Sequence, residues 1–270
     1  MILPLLLACA PAVDPAPGAP RWVSLTPAIT ETIAALGRED VLVGRSEWCE
    51  LPPSVTPLPP VGSALTPELE RIARLHPTTI VVDGSEGVDT RALGHIAPVT
   101  VLPWLTVPQV ADSVERLGEA LDREAAAAAL AARFRALDVP PPEDGPEVLL
   151  TMTEDPRQGD IWYVRPDSLH GSILHAAGGR NALPEPPTGA PTLSVEGLLA
   201  LDPDAIVVLT PREVDDTVRA QILANWAPLT PLSAVAGGRV RVLGGPTVMP
   251  TGPSLLATTE TLRAELATLP

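Results

Sequence analysis

The chain is 270 residues long, with a formal charge of −15 and 34 prolines. Its 45% apolar content excludes a disordered chain and suits one or two packed domains. All 18 basic residues are arginine, which excludes Schiff-base and P-loop lysine chemistry, and an acidic chain with no basic stripe is not built for nucleic-acid phosphates.

In chain order, Met1–Ala8 reads M-I-L-P-L-L-L-A and precedes Cys9. An apolar core before a small residue has the form of a secretion signal. Leu6-Leu7-Ala8-Cys9 resembles a bacterial lipobox, which implies lipid on Cys9 and a protein anchored in the periplasm or at the cell surface. Residues 10–20 are rich in Pro and Ala, and predict an extended linker. No later apolar run reaches the ~18 residues of a membrane span. With Cys9 lipidated, Cys49 is left unpaired.

The folded part is expected to start at Arg21. Trp22–Leu25 reads as a strand. Thr26-Pro27 then opens a helix over Ala28–Leu36, which Gly37 ends. A strand at 41–44 follows. Leu69, Ile72 and Leu75 form the stripe of a helix over 67–75. Thr79–Val82 is a continuous apolar run, the mark of a buried parallel strand. A helix over 88–96 and a strand over 99–102 complete this half. Residues 108–137 contain one interior glycine and are rich in Ala, Leu, Glu and Arg, which predicts one long helix. Pro140-Pro141-Pro142 stops it. Strands are then expected at 147–152, 206–209 and 239–243, and helices at 168–177, 194–201, 215–224 and 253–267. The alternation gives an α/β fold of two Rossmann-like lobes on parallel sheets, joined by a single long helix with a ligand cleft between them. The boundaries are 1–20 for signal and linker, 21–106 for the N-terminal lobe, 107–139 for the bridge and 140–270 for the C-terminal lobe.

The halves repeat each other. Thr66–Val82 lies over Thr192–Val208 at a constant offset of 126 residues, with seven identities that include Glu70 over Glu196 and Pro77 over Pro203. Each lobe thus carries a glutamate early on a surface helix.

Catalytic signatures are missing from the sequence: it has no G-x-S-x-G, H-E-x-x-H, C-x-x-C, Walker A or G-x-G-x-x-G. His170 and His175 are five residues apart, about 140° around a helix, too far to chelate one ion easily. No enzyme activity, resident cofactor or metal site is expected. Only seven residues are aromatic, and several follow strands. Trp48, Trp104, Trp162 and Tyr163 fall in loops of the kind where doubly wound sheets bind ligands.

Six segments carry a family resemblance: R-W-V-S-L-T-P-A-I-T-E-T-I-A-A-L-G (21–37), V-G-R-S-E-W-C-E-L-P-P (43–53), L-P-P-V-G-S-A-L-T-P-E-L-E-R-I (58–72), H-P-T-T-I-V-V (76–82), R-P-D-S-L-H-G-S-I-L-H-A-A-G-G-R-N (165–181) and L-S-V-E-G-L-L-A-L-D-P-D-A-I-V-V (193–208). In this order and spacing they resemble the periplasmic substrate-binding proteins of cobalamin and ferric-siderophore ABC importers. The resemblance implies two lobes joined by a long helix, a monomer, an ABC permease with its ATPase as partners, and no nucleic acid. It implies that Glu70 and Glu196 dock onto arginines of the permease. It makes Trp48 and Trp162 ligand contacts and places Met249 in a ligand-facing segment, 247–254. That segment bears no charge here, and a Trp of the cobalamin-binding members is replaced by Gly62-Ser63-Ala64. A pocket rich in Trp and poor in charge favours a large, mostly neutral, planar ligand. Cobalamin or a related corrinoid ranks first. The alternatives are a ferric siderophore, haem, or a stand-alone sensor or scavenger of the same fold. Cys49 is expected to be buried and to contribute shape, the alternative being a thiol that faces the ligand.

Overall fold

A computed structural model describes residues 18–85 and 87–270. The signal-like segment and Cys9 lie outside the described residues. The first half contains β1 (Trp22–Ser24), α1 (Pro27–Ala35), β2 (Leu42–Arg45), α2 (Leu69–Arg74), β3 (Thr79–Asp83), α3 (Thr90–Gly94) and β4 (Val99–Leu102). The middle is helical, α4 (Val107–Ala120) and α5 (Glu124–Arg135). The second half runs β5 (Glu147–Thr151), β6 (Ile161–Trp162), α6 (Leu169–Ala176), β7 (Arg180–Asn181), β8 (Thr192–Leu193), α7 (Val195–Leu201), β9 (Ala205–Thr210), α8 (Asp216–Trp226), α9 (Ser233–Ala236), β10 (Val240–Gly244) and α10 (Ser254–Ala267).

Each half builds a four-stranded parallel sheet, in the orders β2-β1-β3-β4 and β7-β5-β9-β10. These are the same topology. The 126-residue offset of the sequence reappears in the strand register, since Trp22 pairs with Thr79 and Val148 pairs with Ala205. Both central strands are apolar on both faces, as sheets covered on two sides require. Ile80 and Val82 point to one side and Val81 to the other, and Ile206, Val208 and Val207 repeat the division. A short antiparallel pair, β6 with β8, is added to the second half.

Helix ends follow the local chemistry. Ser168, Ser194 and Asp215 accept amide hydrogens at the starts of α6, α7 and α8. Thr106 and Gln109 form a reciprocal capping box on α4. Gly37 and Gly178 end α1 and α6 at φ of 69° and 98°. Thr26 holds the N-cap position of α1, but its hydroxyl accepts from the Asp83 amide at 3.2 Å instead and ties the end of β3 to β1.

The bridge corrects the expected single helix. The chain breaks at Leu121–Arg123, where Asp122 has φ 55°, and α5 folds back along α4. Arg135 at the end of α5 bonds Asp112 at 3.0 Å and Glu115 at 2.6 Å on α4. Gly118 allows the two helices to touch, because a Cβ there would lie 2.2 Å from the Ala127 methyl carbon. Gly118→Ala should therefore destabilise the fold by about 1–3 kcal/mol, as overpacking does, although alanine is the better helix former. A denaturation midpoint at or above wild type would contradict this contact.

One core joins both halves. It holds Trp22, Ile29 and Val81 from the first, the inward faces of α4 and α5, and Val148, Leu150, Val207 and Leu262 from the second. Two further cores cover the outer faces of the sheets.

Candidate functional site

In doubly wound sheets ligands bind beyond the carboxyl ends of strands, where the strand order reverses. Both sheets reverse between their first and third strands. Two large rings stand in solvent beyond these edges, Trp48 on the loop after β2 at 67% exposure and Trp162 in β6, the short strand that follows β5, at 49%. Lone exposed apolar residues are ordinary, but further ones share these edges. Leu65, Leu105 and Met152 are exposed on the β2–α2, β4–α4 and β5–β6 connections. Sequence reasoning missed these three. Their signal was an unpatterned apolar residue within turn-forming neighbours.

The Trp48 loop is built from its carbonyls. Arg45 donates to Ser46 O at 3.0 Å and Thr56 O at 3.0 Å, clamping both ends of the loop. The Trp48 amide donates to Ser46 Oγ at 3.2 Å. Trp162 lines a depression of about 440 Å³ with Met152, Glu154, Asp155, Gln158 and Asn225. Glu154 there accepts from Thr210 Oγ1 at 2.6 Å and from Arg212 at 2.6 Å. Trp48 does not line this depression.

Two expected ligand contacts, Trp104 and Tyr163, are buried. Trp104 is 5% exposed, and its Nε1 donates to Thr251 O at 3.0 Å, across the two halves. Its ring belongs to the shared core. Tyr163 is 6% exposed and packs in the core beneath β6. Neither ring offers a face to a ligand. Met249 is half-buried against the shared core.

Cys49 is fully buried, with Sγ 3.0 Å from Thr30 Oγ1. Burial pushes its thiol up from the usual cysteine range, against the opposing pull of Thr30 and the Arg45 charge. It is a free thiol held protonated. A maleimide should leave native Cys49 unmodified and label it on denaturation. Rapid labelling of the native chain would place the thiol at the surface instead.

The cations near these edges are engaged. Arg157 binds Asp155 at 2.9 Å and Arg165 binds Asp167 at 2.8 Å, and each holds its partner carboxyl below the usual range. One imidazole is engaged as well. His170 is buried, and its Nε2 contacts Val248 O at 2.9 Å. A carbonyl only accepts, so Nε2 carries the proton, and burial keeps the ring neutral. His76 and His95 lie just before β3 and β4, at the opposite sheet edge. No cluster of three or more metal-binding side chains occurs among the described residues.

Glu70 and Glu196 occupy the same place in the two halves, the second helical residue of α2 and of α7. A helix returning between parallel strands runs against them, so both glutamates lie toward carboxyl edges. Both are exposed. Glu70 pairs with Arg74 at 3.0 Å, an i,i+4 contact in solvent that contributes little. Hydrogen bonds from its own amide and from Ser194 hold the Glu196 carboxyl below its ordinary range.

Comparison with known proteins bears on the fold. A cobalamin-binding protein of Halobacterium salinarum is 26% identical over 234 residues, which are 82% of this chain. The chain spans 62% of that protein's length. A vitamin B12-binding protein of Photorhabdus laumondii is 28% identical over 70% of each chain. The structure superposes on that of a periplasmic haem-binding protein from Pseudomonas aeruginosa with TM-score 0.73 and 26% identity, covering 93% of this chain and 94% of the other. Residues 23–247, which hold both duplicated sheets and the helical bridge, match the periplasmic binding protein family, and the chain is a member of it.

Proposed function

We propose that this chain is the substrate-binding component of an ABC importer and that it captures cobalamin or a related corrinoid. The observation that carries the reading is the pair of solvent-facing tryptophans, Trp48 and Trp162, one on each duplicated sheet's ligand edge. Large rings bind planar, weakly charged ligands by stacking and burial. Arg157 and Arg165 are already paired, which favours a neutral cargo over an anionic chelate. The buried positions of Tyr163, His170 and Cys49 favour a cargo whose metal arrives with its own axial ligands. The cobalamin- and B12-binding relatives support the same class.

In this reading Glu70 and Glu196 dock onto cations of the permease, and lipid on Cys9 tethers the protein to the membrane through the linker at 10–20. A haem or ferric-siderophore cargo is the second reading. The exposed Met152 thioether beside Trp162 favours haem within it, since a soft sulfur is a ligand for haem iron. Titration of purified protein with cyanocobalamin, haemin and ferrioxamine, followed by absorption and calorimetry, tests the ranking. Saturable binding of cyanocobalamin alone is expected. Binding of haemin with a Soret shift, and none of cyanocobalamin, would replace the corrinoid by haem.

A further inference from the structure

The segment from Thr247 to Ser254 connects β10 to α10 and contains Pro250 and Pro253, which have no amide hydrogen to donate. It is nevertheless held at four points. Two come from its own half. Thr258 Oγ1 donates to Thr247 O at 2.9 Å, and His170 Nε2 donates to Val248 O at 2.9 Å. Two come from the other half. Trp104 Nε1 donates to Thr251 O at 3.0 Å. Glu31, from the middle of α1, receives the Ser254 amide at 2.6 Å and the Ser254 hydroxyl at 3.0 Å. A carboxylate from one half therefore caps the first turn of a helix in the other, where the helix dipole favours negative charge. The fit is close. A Cβ at Gly252 would lie 2.3 Å from Glu31 Oε2 and 3.1 Å from Ala28 O, so any side chain there would displace the Glu31 carboxylate from Ser254. The Glu31 carboxyl is largely desolvated, which raises it above the ordinary glutamate range. A merely structural cap is commonly supplied by the residue beside the helix. Here that residue is Pro253, with no side-chain cap, and the cap comes from 223 residues away.

We infer that Glu31 and Trp104 are positioning residues that lock the Thr247–Ser254 segment to the first half and so fix the relative placement of the two ligand edges before any ligand arrives. Hinged binding proteins absorb closure in a few loop residues. This segment belongs to the second half, and the hydrogen bonds from Trp104 and to Glu31 that tie it to the first oppose such motion. The inference concerns the ligand-free protein and stands apart from the identity of the cargo.

The test is the inter-half distance in ligand-free protein. Spin labels are placed at Arg91→Cys on α3 and Ala220→Cys on α8, both exposed, in a Cys9→Ser chain. Pulsed dipolar spectroscopy then reads the distance distribution. Glu31→Ala and Trp104→Phe, the latter keeping a ring but losing the N–H, should each broaden the distribution and lengthen its mean. Glu31→Gln retains an acceptor for the Ser254 amide and should restore the narrow distribution. Thr258→Val removes a bond within one half and should leave the distribution unchanged. Circular dichroism confirms that each variant is folded. Distributions for Glu31→Ala and Trp104→Phe that superpose on wild type would overturn the inference. So would a Thr258→Val distribution as broad as theirs, because any loosening of the segment would then suffice.

Discussion

The double variant Glu70→Ala, Glu196→Ala is expected to bind cyanocobalamin with wild-type affinity and to support no uptake. Both carboxylates are exposed at equivalent turns of duplicated helices. A bland account exists, because acids in a first helical turn compensate the dipole. That account predicts a small loss of stability and no transport defect. Docking predicts the reverse. Charge pairs across an interface set orientation and association rate, and two of them fix both halves on the permease at once. The Arg74–Glu70 contact does not oppose docking, since an exposed pair of this kind is easily exchanged. Single variants should transport at reduced rates. Uptake of radiolabelled cyanocobalamin at the wild-type rate by the double variant would rule the docking role out, whatever the ligand.

Trp48→Ala and Trp162→Ala should each weaken cyanocobalamin binding by at least tenfold. A stacked ring contributes about 0.5–1.5 kcal/mol beyond its buried area, and each ~1.4 kcal/mol is one decade in affinity. The buried area of an indole adds more. Stability should change little, because both rings stand in solvent in the free protein. The contrast is Trp104→Ala, which should lower the melting temperature strongly, as removal of a core indole costs about 3–5 kcal/mol. Wild-type titration curves for both Trp48→Ala and Trp162→Ala would move the binding site away from these edges.

The sequence made the sheets legible because their central strands are unbroken apolar runs, and because the same run occurs twice at one offset. It did not show β6, β7 or β8, each two residues long, too short for any periodicity. The helix break was written in the sequence but in a subtler signal. Leu121 and Leu130 are both buried and nine residues apart, which is about 180° on a continuous helix. A straight helix would put Leu130 and Phe134 on the face opposite Val114 and Leu117. Only a reversal near Asp122 returns both stripes to one core. Strong helix propensity on both sides of the break masked this change of phase.

The burial of Trp104 and Tyr163 was hidden for a related reason. Position after a strand locates a loop, but neighbouring side chains in extended chain point to opposite sides. Trp162 faces solvent while Ile161 and Tyr163 face the core, and Trp48 faces solvent while Cys49 is enclosed. At Trp104-Leu105 the larger side chain is the one turned inward. Which member of each pair points outward depends on strand register, and no local pattern in these loops declares it. Glu31 was invisible for another reason: its partners lie 223 residues away.

The core shared by the two halves bears on how the molecule comes apart. Residues of α1, α4 and α5 interleave there with those of α6 and α10, so neither half owns a complete interior. Melting of one would expose the apolar face of the other, and the two are bound to unfold as a single cooperative unit despite their duplicated architecture. The exposed residues 138–141 add little to that cohesion. A chain cut there should remain assembled as two fragments, held by the same side chains that join the halves in the intact protein.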